Sequence, residues 1–353
     1  KNFMSEFIKI NGRKISVDHP PYIIAEMSAN HNQNIDNAFK IIDVAKISGA
    51  DAVKLQTYHP DTITMNMNTP EFIINGGLWD GQTLYELYES AFMPWEWHKP
   101  LFDHAKKRGI TIFSSPFDNS AVDLLEDLNA PAYKIASFEA IDIPLIQYVA
   151  KTGKPMIIST GMANADEIEE AIETAQESGC DQLAILHCVS GYPAPADDYN
   201  LNTLTDMRTR FGLVTGLSDH TTDNYTAITS VALGASIIEK HVTLDKNGGG
   251  PYDSFSLEPG ELKQLCVGAK NAWSSLGKVN YSKKNSETEN AKFRRSLYFI
   301  KDMDKGEVVS GEHIKSIRPG YGIAPKHYHD IIGKKVSQKV SLGTAVSWNH
   351  IVK

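Results

Sequence analysis

Alternation is the feature that most limits what this chain can fold into. Short apolar runs of strand character recur at residues 22–27, 52–57, 110–115, 132–137, 155–160, 183–189, 213–218 and 236–243. Segments with helical periodicity lie between and after them, at 35–48, 95–107, 120–128, 143–151, 165–178, 202–210, 224–233 and 259–276. In the segment 165–178, Ile168, Ile172 and Ala175 share one face while Glu167, Glu170 and Glu173 face water. Apolar strands separated by amphipathic helices predict a parallel sheet covered by helices. Joints such as Ser48-Gly49-Ala50 and Leu233-Gly234-Ala235 turn a helix end straight into a buried strand. Eight such units over about 270 residues predict a closed (β/α)8 TIM barrel, which takes roughly 250. A doubly wound open sheet is the alternative, but it carries a glycine-rich turn after its first strand. Here the first strand runs into Ser28-Ala29-Asn30-His31-Asn32.

The chain has 353 residues, enough for one large domain and a small one. Residues 1–277 are assigned to the barrel. Residues 278–292 are polar, with almost no large apolar side chain, and read as a linker. Residues 293–353 return to short strands and tight turns, as at 305–309 and 342–346, and form a small β-rich domain too short to be very stable alone. The connection at 58–94 is unusually long, which marks a functional loop.

Composition excludes several classes. A net charge of −8 argues against nucleic-acid binding, which needs a basic face, but not against a small anionic substrate. No apolar run approaches the roughly 20 residues of a membrane span, and residues 1–9 lack a signal-peptide core. Cys180, Cys188 and Cys266 are too few and scattered for a disulfide framework, so a reducing cytoplasm is expected.

Barrel active sites lie at the C-terminal ends of the strands. Polar residues crowd there: Glu26, Asn30 and His31; Lys54 and Gln56; Ser114 and Ser115; Lys134, Ser137 and Glu139; Ser159 and Thr160; His187 and Tyr192; Asp219 and His220; Lys240 and His241. Lys54 and Lys134 stand among apolar strand residues, where a lysine is costly to bury without an anion. They either snorkel, bind a phosphate with the serine hydroxyls, or supply one Schiff-base nucleophile. His220 and His241 end neighbouring strands and suit a divalent ion that keeps open positions, whereas structural zinc would want four protein ligands. His187 is as readily a core residue as a site residue, and His31 as readily a cap. Glu26 either pairs with a strand lysine or handles a proton. The glycines at 248–250 either simply make a turn or bring Asp253 within reach of the site.

Together these segments resemble the sialic acid synthase family, most closely its pseudaminic acid branch. The resemblance is carried by residues 23–32 (around Glu26), 49–58 (around Lys54 and Gln56), 113–118 (around Ser115), 131–139 (around Lys134, Ser137 and Glu139), 158–162 (around Ser159), 216–221 (around His220) and 238–243 (around His241). It covers essentially the whole chain, with the tail resembling an antifreeze-like (SAF) domain. It implies a transferase that condenses phosphoenolpyruvate with an open-chain acetamido sugar, here a 6-deoxy-2,4-diacetamido hexose, releasing phosphate by C–O cleavage. It implies a divalent metal, Mn2+ before Co2+ or Mg2+, at His220 and His241, and Glu26 as the acid–base carboxylate. Lys54, Lys134, Ser115, Ser137 and Ser159 match phosphoenolpyruvate contacts. Gln56, Glu139, Tyr192 and Asp253 match positions near substrate or metal. Arg318 matches an arginine that reaches the other subunit's barrel, implying a domain-swapped homodimer. Trp79 and Tyr85 either pack on the sugar's apolar groups or only fill the long loop. Ser190 departs from the family, many of whose members carry asparagine there. The competing readings are N-acetylneuraminate or legionaminate synthase with the same chemistry, a Schiff-base pyruvate aldolase, and a carbohydrate-binding protein.

Overall fold

The computed structural model describes residues 7–353. The part of the 1–9 reading that falls on residues 1–6 lies outside the described residues. The chain divides between Gly277 and Lys278 into two compact units.

The first unit is a closed barrel of parallel strands: β1 Tyr22–Glu26, β2 Ala52–Thr57, β3 Thr111–Pro116, β4 Tyr133–Ile135, β5 Met156–Ser159, β6 Leu183–Cys188, β7 Val214–Asp219 and β8 Ile237–His241. Each strand pairs with its neighbour in sequence, and β8 closes on β1. The helices that follow are α1 Ile35–Ser48, α2 His98–Arg108, α3 Asn119–Asp127, α4 Ile143–Ala150, α5 Ala165–Glu177, α6 Asn202–Phe211, α7 Tyr225–Ala232 and α8 Pro259–Leu276. Local chemistry fixes their ends. The Asn164 side chain accepts the Glu167 N–H at 2.9 Å and the Glu167 carboxylate accepts the Asn164 N–H at 2.9 Å, a reciprocal cap that starts α5. Gly49, at φ 95°, ends α1 in the left-handed conformation, and Ala50 N–H bonds Ala45 O before the chain enters β2.

Strand alternation sorts the barrel residues into two layers. Tyr22, Ile24, Ala52, Phe113, Ala132, Ile157, Ala184, Leu186, Val214 and Ile237 form one cluster, which fills the lumen. Val53, Leu55, Ile112, Tyr133, Ile158, Ile185, Leu217 and Ile238 belong to the other, packed under the helices. Gly216 is small because a Cβ there would come within 2.8 Å of the Leu186 and Ile237 side chains. A hairpin of Ile8–Ile10 and Arg13–Ile15 adds Ile8, Ile10 and Ile15 to the lumen cluster and so seals its N-terminal end.

Several strands are shorter than their sequence runs, with 236–243 giving Ile237–His241 and the largest loss in proportion at β4. The run at 132–137 gives only Tyr133–Ile135, after which Glu139 N–H bonds Ala136 O and a 3-10 turn forms over Ser137–Glu139. The insert at 58–94 is ordered by its own hydrogen bonds. Ile74 N–H bonds Gln82 O, Gly81 N–H bonds Ile74 O, and the helix Leu84–Ala91 starts on a Thr83–Glu86 capping box.

In the second unit, β9 Ser296–Phe299 pairs antiparallel with β10 Ile314–Ile317. Leu297, Phe299, Met303, Val309, Ile331, Val336, Val340 and Val346 make its core. Bridge Tyr298–Ala345 ties the turn-strand segment at 342–346 to β9, and Val308–Lys335 ties the one at 305–309 to residue 335. Residues 278–292 are almost all exposed, with short 3-10 turns over Asn285–Glu287 and Glu289–Phe293. Among the described residues no helix is long and apolar enough to cross a membrane.

Candidate active site

The lumen-facing positions turn from apolar to polar one step above the lumen cluster. Glu26 follows Ile24, Lys54 and Gln56 follow Ala52, Ser115 follows Phe113, Lys134 follows Ala132, Ser159 follows Ile157, and Glu239 and His241 follow Ile237. Register sets them side by side: His241 is level with Glu26, Glu26 with Lys54, and Gln56 with Ser115. The barrel therefore ends in a polar floor whose members the strands hold rigidly.

Four buried charges make that floor. Lys54 Nζ lies 2.5 Å from Glu26 Oε2 and donates to Ser115 Oγ at 2.9 Å. Lys134 Nζ lies 2.7 Å from Glu239 Oε1, which is also 3.9 Å from Lys54 Nζ. All four side chains are at most 4% exposed. Burial raises the Glu26 carboxyl to about 7, aided by Glu239 and opposed by Lys54. Burial also acts against the Glu239 charge, but Lys134 and Lys54 outweigh it and hold that carboxyl below its ordinary range. Burial would lower the Lys54 ammonium, but Glu239 and Glu26 outweigh it and raise its pKa.

Above the floor a cavity of about 550 Å3 opens, lined by Gln56, Ser137, Glu139, Ser190, Tyr192 and His241 on its polar side. Ser159 Oγ, Ser190 Oγ and one Glu139 oxygen are buried without hydrogen-bond partners among the described residues. Ser137 Oγ accepts the Gly161 N–H at 3.1 Å. A Cβ on Gly161 would lie 2.8 Å from Ser137 Oγ and collide with Ser190 Oγ, so the glycine keeps these hydroxyls together. Burial and then Asp142 lift the Glu139 carboxyl to about 7. The apolar side is built largely by the 58–94 insert, through Ile63, Ile74, Trp79, Leu84, Leu87 and Tyr88. Trp79 Nε1 donates to Pro251 O at 3.1 Å, tying the insert to the loop after β8. Tyr85 is not among the lining residues; Leu84 and Tyr88 take that place.

His220 and His241 face each other with ring centroids 5.4 Å apart, and Tyr192 packs 4.3 Å from His220. His220 Nδ1 is 2.7 Å from Val189 O, so it carries a proton and Nε2 is the ring atom that could hold an ion. Burial, then His220, drives the His241 pKa well down, keeping the ring neutral, and its Nδ1 is buried without a partner. This pair fits a divalent ion. Among the described residues no three His, Cys, Asp or Glu side chains gather as a ligand set, so such an ion would complete its shell with water and substrate.

Other candidates fall outside the cavity. Ser114, Asp219 and Lys240 have the opposite strand parity. Ser114 bonds Thr57, and Lys240 Nζ is 2.9 Å from Asp219 in the helix layer. Thr160 Oγ1 donates to Leu186 O. Asn30 is taken up by Val242 O and Ser256, and His31 packs on Trp97. His187 Nε2 bonds Tyr199 O. The Asp253 carboxylate is buried and occupied: it accepts from Thr243 Oγ1 at 2.5 Å, and from Asn32 Nδ2 and Gly250 N–H at 2.8 Å each. It clasps the β8 loop to the β1 loop. Arg318 is exposed just after β10 in the second unit. Glu239 was missed in sequence, although its parity with His241 was there to be read.

A closed parallel barrel with buried charges and two histidines at the C-terminal ends of its strands has the build of a (β/α)8-barrel enzyme. The chain belongs to the NeuB family, whose profile matches residues 41–281, and a SAF domain matches residues 294–352. It is 43% identical over 331 residues to the pseudaminic acid synthase of Campylobacter jejuni strain 81-176, covering 94% of this chain and 96% of that one. It is 43% identical over 333 residues to the Helicobacter pylori pseudaminic acid synthase, covering 94% and 98%. The structure of N-acetylneuraminic acid synthetase from Leptospira borgpetersenii superposes with a TM-score of 0.73 at 30% identity, covering 83% of this chain and 98% of that one.

Proposed function

We propose that the protein condenses phosphoenolpyruvate with open-chain 2,4-diacetamido-2,4,6-trideoxy-altrose to give pseudaminic acid and phosphate. The observation that carries this reading is the buried Lys54–Glu26–Glu239–Lys134 floor beneath the His220–His241 pair. The lysines and the unpaired hydroxyls of Ser159 and Ser190 supply donors for a phosphate. The methylene carbon of phosphoenolpyruvate forms a bond to the sugar aldehyde carbon, and the aldehyde oxygen takes a proton. Water adds at the former enol carbon, giving up one proton to balance the one taken by the aldehyde oxygen; that carbon's bond to the phosphate oxygen then breaks while its new hydroxyl gives its proton to the departing phosphate, leaving the ketone. Glu26, with a pKa near 7, is suited to hold and pass the proton. A divalent ion at His220 and His241, Mn2+ before Co2+ or Mg2+, would supply Lewis acidity toward the aldehyde oxygen when bound. Gln56, Glu139 and Tyr192 face the sugar, and Trp79 with its apolar neighbours meets its methyl groups. Arg318 acts in the barrel of a partner subunit in a domain-swapped dimer, and the enzyme works in the cytoplasm. The raised pKa of Lys54 and the ion pair on Lys134 count against Schiff-base chemistry, which needs a free amine.

The test is phosphate release from phosphoenolpyruvate by chelated and by Mn2+-restored enzyme. The diacetamido sugar and N-acetylmannosamine are supplied in parallel. Release only with metal and the diacetamido sugar is the expected result. Preference for N-acetylmannosamine moves the substrate assignment to the sialic acids, and silence with both sugars refutes the reading.

A further inference from the structure

Glu239 has no place in the steps above, yet it is the carboxylate within 4 Å of both floor lysines. β4 and β8 stand opposite each other in the eight-stranded ring, so the Lys134–Glu239 pair reaches across the lumen. The floor is electrically balanced, two lysines against two glutamates. In the reading proposed above, on which this inference rests, a phosphate group arrives with close to two negative charges. It must draw on ammonium groups that already hold carboxylates.

The two carboxylates are not equally committed. Glu26 has a contact on each oxygen: Oε2 lies 2.5 Å from Lys54 Nζ, an ion pair without hydrogen-bond geometry, and Oε1 accepts the Ser28 N–H at 3.0 Å. Glu239 uses one. Its Oε1 serves Lys134, while Oε2 is buried with no hydrogen-bond partner among the described residues. Glu26 is thus anchored by a backbone N–H as well as by its lysine, whereas Glu239 is held by the two lysines alone and has an oxygen to spare.

We propose that Glu239 is the resident counter-anion of the phosphate subsite. In the empty enzyme it neutralises Lys134 and shares Lys54, which would otherwise leave buried ammonium charge uncompensated. When phosphate binds, Glu239 gives way on Lys134 and its remaining charge opposes the newcomer. The grip on phosphate is thereby weakened in substrate and product alike. Tighter holding of an unchanged group adds nothing to the chemical step and slows product release.

Full-length Glu239→Gln keeps the shape and removes the charge. Calorimetric titration with inorganic phosphate, without sugar, is expected to show binding tightened about tenfold to a hundredfold, from relief of close-range repulsion. The KM for phosphoenolpyruvate falls, phosphate inhibition strengthens and kcat declines. A merely structural role predicts the reverse, because a loosened floor binds phosphate less well. Unchanged or weakened phosphate binding overturns the proposal. Glu239→Asp retains the charge but draws it back from Lys134, so it tightens binding to a lesser degree and decides the matter if the glutamine variant does not fold. If wild type binds neither phosphate nor phosphoenolpyruvate, the functional reading falls and this inference with it. Equal phosphate binding in wild type and variants removes this inference alone.

Discussion

Lys54→Met strands a buried charge, and the cost can be worked from the floor. The substitution removes the ammonium 2.5 Å from Glu26 Oε2 and 2.9 Å from Ser115 Oγ. Glu239 keeps Lys134 at 2.7 Å, but Glu26 retains only the Ser28 N–H. Removing one partner of a buried pair costs about 3–5 kcal/mol. In a domain of this size that lowers the Tm by about 10 °C. The loss must depend on pH. Glu26 already titrates near 7, and without Lys54 its folded-state pKa rises further. A carboxyl whose folded pKa lies above its unfolded value contributes stability that is full at low pH and lost as pH rises through the folded pKa. The deficit is therefore small at pH 5.5 and large at pH 8.5. Lys54→Met/Glu26→Gln removes the stranded charge and recovers most of it. Thermal unfolding followed by circular dichroism at both pH values reads the effect. A deficit independent of pH, or a double variant as unstable as the single one, refutes the reasoning.

Two further perturbations probe the cavity. Glu139→Gln removes a carboxyl that burial raises to about 7. The wild type loses stability on the order of 2 kcal/mol between pH 5 and 8 on this account, and urea titrations should show the variant losing correspondingly less; parallel slopes would contradict it. Gly161→Ala pushes a methyl against the Ser137 and Ser190 hydroxyls. The KM for phosphoenolpyruvate should rise about tenfold or more while Tm moves little; an unchanged KM would mean those hydroxyls do not meet the phosphate.

Much of the barrel was legible because its signal is local. Each αβ unit carries its own periodicity and its own end, as Asn164 and Gly49 show. The strands were placed to within a few residues, and the shortening of β4 to half its run came from a 3-10 turn whose bonds run between neighbours. The hairpin at Ile8–Ile15 escaped because its purpose is distant: its isoleucines are buried only by the bottom of a barrel built from later sequence. Within the candidate site, sequence gathered the right strand ends but could not rank them. Lys240 and Glu239 are neighbours in the chain, yet one faces the helices and the other the lumen. Asp253 looked free to reach substrate, and three donors from the surrounding loops hold its carboxylate instead.

The sequence by itself determined the architecture, since hydrophobic period and helix ends are written in consecutive residues and an unbroken βα repeat of this length closes. It also determined which side chains crowd the strand ends, and its motifs carried the family resemblance. Tertiary structure alone decided which charges meet. The Lys134–Glu239 pair joins residues 105 positions apart from opposite walls of the barrel. Whether a buried lysine is available to an anion or already neutralised depends on such distances, because inside a protein a charge's energy is set by whatever stands within a few ångströms of it.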